Sequence, residues 1–387
     1  MTTQQLDRQY VAHTYNRFPL EITGGKGSTV YGADGREYID LGSGIAVNIF
    51  GLGDEQWQST VTRQLSKVQH TSNLFYCAPV AQLAQMLCER TGMSKVFFSN
   101  SGAEANECAV KAARKWGCTH KGAEHDNIIT LKQSFHGRTI AMLAATGQDH
   151  YHEQFQPLPG GFLYAEVGDA DGLERLIREN SCAAVMIEVV QGEGGVRPIG
   201  REFAAQIAAL TEKYDLLLIT DEVQLGNGRS GSLYGYMEYG LHPDLVTTAK
   251  GLGGGLPIGA TLFSERVADV FSPGDHGSTF GGNAACCAGA LNILGRIDDE
   301  LFAGVKERSA YIIRELTGAE GIRNVSGMGL MLGFEPNGPA REFAEKLLAN
   351  GVLVTTAKQK IRLLPALNIP MEQLKSAVQI IKRCAAE

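Results

Sequence analysis

The chain's 387 residues, 44% of them apolar and 20% charged, are typical of a soluble globular protein with room for about two to three domain-sized units. A net charge of −7, with no basic tract longer than two residues, argues against a general affinity for nucleic acid, which needs Lys and Arg in excess on one face. The polar, mixed-charge start MTTQQLDRQYVAHTYNRF is no secretory signal, and no run of about eighteen apolar residues is present to span a membrane, so a cytoplasmic protein is expected.

In chain order, GSTVYGADGREYIDL (27–41) reads as a hairpin turning at Asp34-Gly35. Residues 1–54 are expected to pack with a smaller domain formed by the other end of the chain. From 55 to 295, short apolar runs alternate with helical patterns. KVFFS (95–99) precedes a helix in which Ala105, Cys108, Ala109, Ala112, Ala113 and Trp116 share one face. NIITL (127–131) precedes a helical RTIAMLAAT (138–146). AAVMIEVV (183–190), DLLLIT (215–220) and DLVTTA (244–249) come next, with the helical EFAAQIAALTEKY (202–214) between the first two. Continuous apolar strands separated by helices predict an α/β domain with a mostly parallel sheet covered on both faces. Such a sheet binds ligands beyond the carboxyl ends of its strands.

Residues 296–387 read as a smaller α+β domain. LFAGVKERSAYIIREL (301–316) is predicted helical, GMGLMLGF (327–334) a single strand, and FAEKLLAN (343–350) a helix closed by Gly351. VLVTT (352–356) and IRLLP (361–365) are predicted as adjacent strands, and MEQLKSAVQIIKRCA (371–385) as an amphipathic helix. The cysteines at 77, 88, 108, 118, 182, 286, 287 and 384 form no C-x-x-C pair and no zinc-type spacing with histidine, so they read as reduced small hydrophobes and no metal is expected.

The residues with chemical potential stand just beyond the ends of the buried strands. After KVFFS, Ser101 and Glu104 have the spacing of a capping box, and the helix start at Gly102 offers free amides that suit a phosphate, although an ordinary capped helix has the same pattern. After NIITL comes Gln133-Ser134-Phe135-His136-Gly137-Arg138, with a ring able to stack on a planar heterocycle and a guanidinium able to grip a carboxylate. DLLLIT runs into Asp221, costly at the end of a buried strand unless a cation or donors meet it; a protonated ring nitrogen is one such partner. DLVTTA ends in Lys250, with four glycines in the next five positions; a lysine in a poorly solvated cleft becomes an available amine nucleophile. Phosphate cradle, stacking ring, acid and amine are together the parts that hold pyridoxal phosphate.

On these residues the chain resembles the class III, fold-type I aminotransferases from end to end. The motifs carrying the resemblance are FFSNSGAEANE, SFHGRTIAMLAATG, EVVQGEGGV, DEVQLGNGRSG, TTAKGLGGGLPIGA, GSTFGGN and IRLLPAL. It implies pyridoxal 5'-phosphate with Lys250 as the Schiff-base lysine and Asp221 as partner of the ring nitrogen, Glu222 counted among the cofactor contacts, Val223 against the ring and Gln224 near its phenolic oxygen. Gly102 and Ala103 would offer amides to the phosphate with the Ser101 hydroxyl, and Phe135 would stack on the ring. Thr279 would reach the phosphate of a neighbouring subunit, making a homodimer with a shared active site. Arg138 and Ser278 would bind an ω-amino donor, N2-acetylornithine foremost; Arg362 would take the α-carboxylate of 2-oxoglutarate or glutamate, with Glu193 neutralising it at other times.

Three segments depart from the family pattern. Gly51-Leu52-Gly53-Asp54-Glu55 stands for Gly-His-x-His-Pro, Arg229-Ser230-Gly231 for Arg-Thr-Gly, and Asn283-Ala284-Ala285-Cys286-Cys287 for Asn-Pro-Leu-Ala-Cys; none removes a group that does chemistry. Succinylornithine, ornithine, 4-aminobutyrate and acylated lysine or diaminopimelate precursors present a terminal amine to the same machinery. Outside the family, Gly226-Asn-Gly228-Arg-Ser-Gly231 satisfies the G-x-G-x-x-G of nicotinamide enzymes but lacks a strand directly before it and a continuous helix after it. A catalytically silent binding protein on the same fold would have no use for both Lys250 and Asp221.

Overall fold

Three N-terminal strands, β1 (Ile22–Lys26), β2 (Thr29–Gly32) and β3 (Glu37–Asp40), form an antiparallel meander in the computed structural model, which describes residues 1–387. The turn from β2 to β3 falls at Asp34-Gly35 as expected, because Gly35 takes the left-handed backbone (φ 78°) and Asp34 Oδ1 accepts the Arg36 N–H at 3.1 Å.

The central apolar runs form a seven-stranded sheet. Its strands are β4 (Lys95–Ser99), β5 (Asn127–Leu131), β6 (Phe162–Ala165), β7 (Cys182–Ile187), then, beyond a short ribbon of β8 (Val190–Gln191) and β9 (Arg197–Pro198), β10 (Leu217–Asp221), β11 (Leu245–Thr248) and β12 (Gly259–Phe263). The order is β4-β12-β11-β10-β7-β5-β6. Every residue of β7 and β10 is buried, which a sheet covered on both faces requires. Pairing is parallel except at β12, which runs antiparallel to both β11 and β4. The helix Gly102–His120 buries the predicted face, Ala105, Cys108, Ala109, Ala112, Ala113 and Trp116.

Two local expectations need correction here. The helix after β5 spans only Ile140–Ala145, because Thr139, in extended conformation, caps it by accepting the Met142 N–H; Arg138 therefore lies in the loop. At Ser101 the hydroxyl accepts the Glu104 N–H at 3.2 Å, but Glu104 bonds the Asn100 N–H at 2.6 Å, one residue before the usual capping-box donor.

The C-terminal part contains β13 (Ile322–Met328), β14 (Met331–Pro336), β15 (Val352–Leu353), β16 (Thr355–Ala357) and β17 (Lys360–Leu363). GMGLMLGF is not one strand: Gly329, at φ 54°, turns the chain, so the segment closes the β13–β14 hairpin. VLVTT is likewise split. β15 pairs in parallel with β3 of the N-terminal meander, whereas β16 pairs with β17 in a four-stranded sheet ordered β13-β14-β17-β16. The fully buried Arg229 links this sheet to the loop after β10 by donating to the carbonyls of Leu330 and Pro365 at 3.0 and 2.8 Å; burial pushes its guanidinium down to about 9, against the pull of Asp40. These links place Arg362, on β17, beside the ends of the central strands.

Candidate active site

A cleft of about 640 Å³ opens beyond the carboxyl ends of β4, β5, β10 and β11, at the place such sheets bind ligands. Asn100, Ser101, Gly102 and Ala103 line it from β4, Phe135 and Arg138 from β5, Asp221, Val223 and Gln224 from β10, and Lys250 from β11.

Asp221, the last residue of β10, is buried and fully oriented by neighbours. Its Oδ2 accepts from Asn106 Nδ2 at 2.8 Å and lies 2.8 Å from His136 Nδ1, while Oδ1 accepts the Val223 N–H at 3.0 Å. Asn106 is held in turn, donating to the His136 carbonyl at 2.7 Å and accepting from Thr247 Oγ1 at 2.6 Å. Burial disfavours charge on His136, but the hydrogen bond and charge of Asp221 outweigh it, and the imidazole is raised above its ordinary range. An acid so supplied with hydrogen-bond partners is fixed in orientation at the wall of the cleft.

Lys250 opens a single 3-10 turn after β11 with a left-handed backbone (φ 45°), a conformation that costs a non-glycine residue and clusters at functional sites. Burial, reinforced by the Arg362 charge, lowers its ammonium pKa despite Glu193, Asp221 and Glu188, so more free amine is present near neutrality.

Arg362 is buried on β17, where its guanidinium contacts Glu193, donates to Gln224 Oε1 at 3.0 Å and bonds Thr355 Oγ1 through Nε at 3.2 Å. Burial alone would raise the Glu193 carboxyl, yet Arg362 holds it below the usual range. Arg138, by contrast, is exposed, and its guanidinium lies over the rings of Tyr151 and Phe135.

Four expected residues do not line the cleft: Glu193 and Arg362, which reach its lining through Gln224, and Ser278 and Thr279. Ser278 Oγ bonds Asn100 Nδ2 at 3.1 Å without lining the cleft, and Thr279 is exposed away from it. The expectation for Glu222 is corrected: its carboxylate turns away from the cleft to accept the Gly235 and Tyr236 N–H groups, each at 2.8 Å. Alternation along the chain dictates this, since Asp221 faces the cleft and the next residue the opposite side. Burial pushes the Glu222 carboxyl up to about 8.

Sequence reasoning missed several contributors. Asn106 and His136 sit inside the FFSNSGAEANE and SFHGRTIAMLAATG motifs, and the search for donors to Asp221 could have found them. Glu188, just after β7, accepts the Phe135 N–H at 2.9 Å, and burial raises its carboxyl to about 7 against the pull of His136. Tyr15 and Val47 line the cleft from the N-terminal segment, where no periodicity signals them.

The family model "Aminotransferase class-III" matches residues 10–385. The acetylornithine aminotransferase of Haemophilus ducreyi is 43% identical over 386 residues, covering 99% of this chain and 98% of the relative. That of Methanocaldococcus jannaschii is 38% identical over 389 residues, covering 99% and 97%. Among solved structures, the ornithine aminotransferase of Toxoplasma gondii superposes with a TM-score of 0.94 at 30% identity, covering 99% of this chain and 93% of that one. N-acetylornithine aminotransferase from Stenotrophomonas maltophilia superposes with a TM-score of 0.85 at 33% identity, covering 99% and 98%.

The chain belongs to the class-III aminotransferases, of fold type I. It is an enzyme of the pyridoxal-phosphate-dependent kind. The cleft suits that cofactor. The first amides of the helix Gly102–His120 have no intrahelical partner, and a Cβ on Gly102 would lie only 2.6 Å from Val223 Cγ1, so only glycine lets the backbone close up here. Asp221, Phe135 and Lys250 all line the cleft, where they would supply an acid for a ring nitrogen, a stacking face and an amine.

Proposed function

We propose that the enzyme transfers the δ-amino group of N2-acetylornithine to 2-oxoglutarate, giving N-acetylglutamate 5-semialdehyde and glutamate. The observation carrying this reading is the pair of unlike arginines, Arg138 lining the cleft and Arg362 bonded to its wall at Gln224. Arg138 is open to a carboxylate, whereas Arg362 is closed by Glu193. A donor that presents its distal amine to Lys250 leaves its α-carboxylate for Arg138, and Glu193 then keeps Arg362 neutralised. A dicarboxylate oxo acid needs both arginines, so Glu193 must yield Arg362 to the α-carboxylate. The Haemophilus ducreyi and Methanocaldococcus jannaschii relatives act on acetylornithine by name, which favours the acylated donor.

When bound, pyridoxal phosphate supplies an electron sink for the carbon that loses its proton. Asp221 would keep a ring nitrogen protonated, the first amides of the helix Gly102–His120 and the Ser101 hydroxyl would hold the phosphate, and Gln224, bonded to Arg362 at 3.0 Å, would meet the phenolic oxygen. The free amine of Lys250 is the base that takes the proton from the substrate carbon bearing nitrogen.

The working unit is a homodimer. Leu74, Phe75 and Tyr76 are 87%, 72% and 107% exposed and Phe280 is 61% exposed. Asn73 Nδ2 donates to the carbonyls of Ser278 and Gly281 at 3.0 and 2.8 Å, so these apolar residues and Thr279 form one surface. An apolar surface of this kind is covered by a partner, and Thr279 would there reach the partner's phosphate. Cytoplasmic location is supported by the eight free cysteines, which suit a reducing compartment.

Titrating the cofactor-loaded enzyme with N-acetylornithine, without oxo acid, tests the donor. Loss of the visible absorbance, restored by 2-oxoglutarate, is expected. Loss with ornithine but not with N-acetylornithine would move the assignment to the free amine. A second measurement tests the arginine roles. Arg362→Gln is expected to lower kcat/KM for 2-oxoglutarate about a hundredfold by removing one partner of a buried charge pair, with a far smaller effect on the donor's kcat/KM; equal losses for both substrates would contradict the assignment.

A further inference from the structure

Arg138 is the exposed member of the arginine pair, and its position depends on a residue outside the cleft lining. Its guanidinium carbon lies 4.4 Å from the centroid of the Tyr151 ring and 5.6 Å from that of Phe135, and its contacts are with these two faces rather than with any carboxylate of the chain. The rings of Phe135 and Tyr151 meet edge to face with centroids 5.9 Å apart, and His150 packs on Tyr151 at 4.0 Å. Tyr151 closes the single turn Asp149–Tyr151, whose preceding Gln148 donates to the Ser134 carbonyl at 2.9 Å. The turn is thereby pinned to the loop that carries Phe135 and Arg138. An exposed arginine otherwise loses much rotamer freedom when it grips a ligand, and holding it in place beforehand removes part of that cost.

We propose that Tyr151 is a positioning residue for Arg138: its ring fixes the plane of the guanidinium so that two parallel N–H groups meet the α-carboxylate of the amine donor. This rests on the reading of Arg138 as the donor's carboxylate site.

Steady-state kinetics of the cofactor-loaded enzyme tests it, because in a ping-pong reaction kcat/KM for each substrate reports its own half-reaction. Tyr151→Leu is expected to lower kcat/KM for N-acetylornithine about fivefold, in line with the loss of a cation–π contact, and to lower that for 2-oxoglutarate by a similar factor, because the second carboxylate of the oxo acid also uses Arg138. N-acetylnorvaline, which has the α-carboxylate but no terminal amine, should show a competitive inhibition constant raised by the same factor. Tyr151→Phe keeps the ring and should restore both values. In an Arg138→Ala background, Tyr151→Leu should cause no further loss. An unchanged donor kcat/KM or inhibition constant for Tyr151→Leu, failure of Tyr151→Phe to restore, or an additive loss in the Arg138→Ala background would overturn the positioning role. A normal donor kcat/KM for Arg138→Ala would instead sink the donor-site reading, and the positioning role with it. If the wild-type enzyme ignores N-acetylornithine, ornithine, which has the same α-carboxylate, serves in the same comparison.

Discussion

Replacing Lys250 by alanine is expected to lower turnover about ten-thousand-fold, because it removes both the amine that holds the cofactor and the base that moves the substrate's proton. Nothing nearby can substitute. Arg362 is engaged with Glu193, the guanidinium of Arg138 lies over the rings of Tyr151 and Phe135, and His136 is engaged with Asp221 at 2.8 Å. Circular dichroism should be unchanged while kcat collapses and the visible absorbance of the bound cofactor is lost. Turnover within tenfold of wild type would reject the assignment.

Asp221→Asn has the second largest expected effect, a fall in kcat of about a thousandfold, typical of losing one preorganised electrostatic group at the reacting centre. The amide keeps the volume of the acid but cannot carry its charge, so the ring nitrogen loses the partner that keeps it protonated. Its Nδ2 would also face Asn106 Nδ2, now a donor opposing a donor, unless the amide turns its oxygen that way. The substrate arginines are untouched, so binding of N-acetylnorvaline should change little. A variant that loses inhibitor binding as much as turnover would show that Asp221 acts by shaping the cleft.

How legible this site is in the sequence depends on where each residue sits. Asp221 and Lys250 end buried apolar strands, where a charged residue needs a partner, and Ser101 caps a helix, so burial and capping point to all three. Phe135 and Arg138 stand beyond a buried strand in the same way. The N-terminal hairpin is legible because Asp-Gly specifies its turn. What escapes is set by long-range pairing. β12 takes an antiparallel place between β4 and β11, although its residues carry no local mark of direction. VLVTT divides between two sheets because β3 offers an edge to Val352–Leu353, and GMGLMLGF bends because Gly329 can adopt positive φ between two apolar halves. Glu222 is misread for a simpler reason: a motif names four consecutive residues, while strand geometry turns the second away from the ligand. Tyr15 and Tyr151 reach the site region from segments with no pattern of their own, and only the folded chain brings them there.

The most direct test of the central claim is to treat the purified, cofactor-loaded enzyme with borohydride, which makes a lysine–cofactor linkage irreversible, and to map the modified peptide by mass spectrometry. The expected result is the added cofactor mass on the peptide containing Lys250 and on no other lysine, discharged from that position when N-acetylornithine is added before the borohydride. Label on a different lysine, or none after full loading with cofactor, would contradict the placement of the reaction at the end of β11.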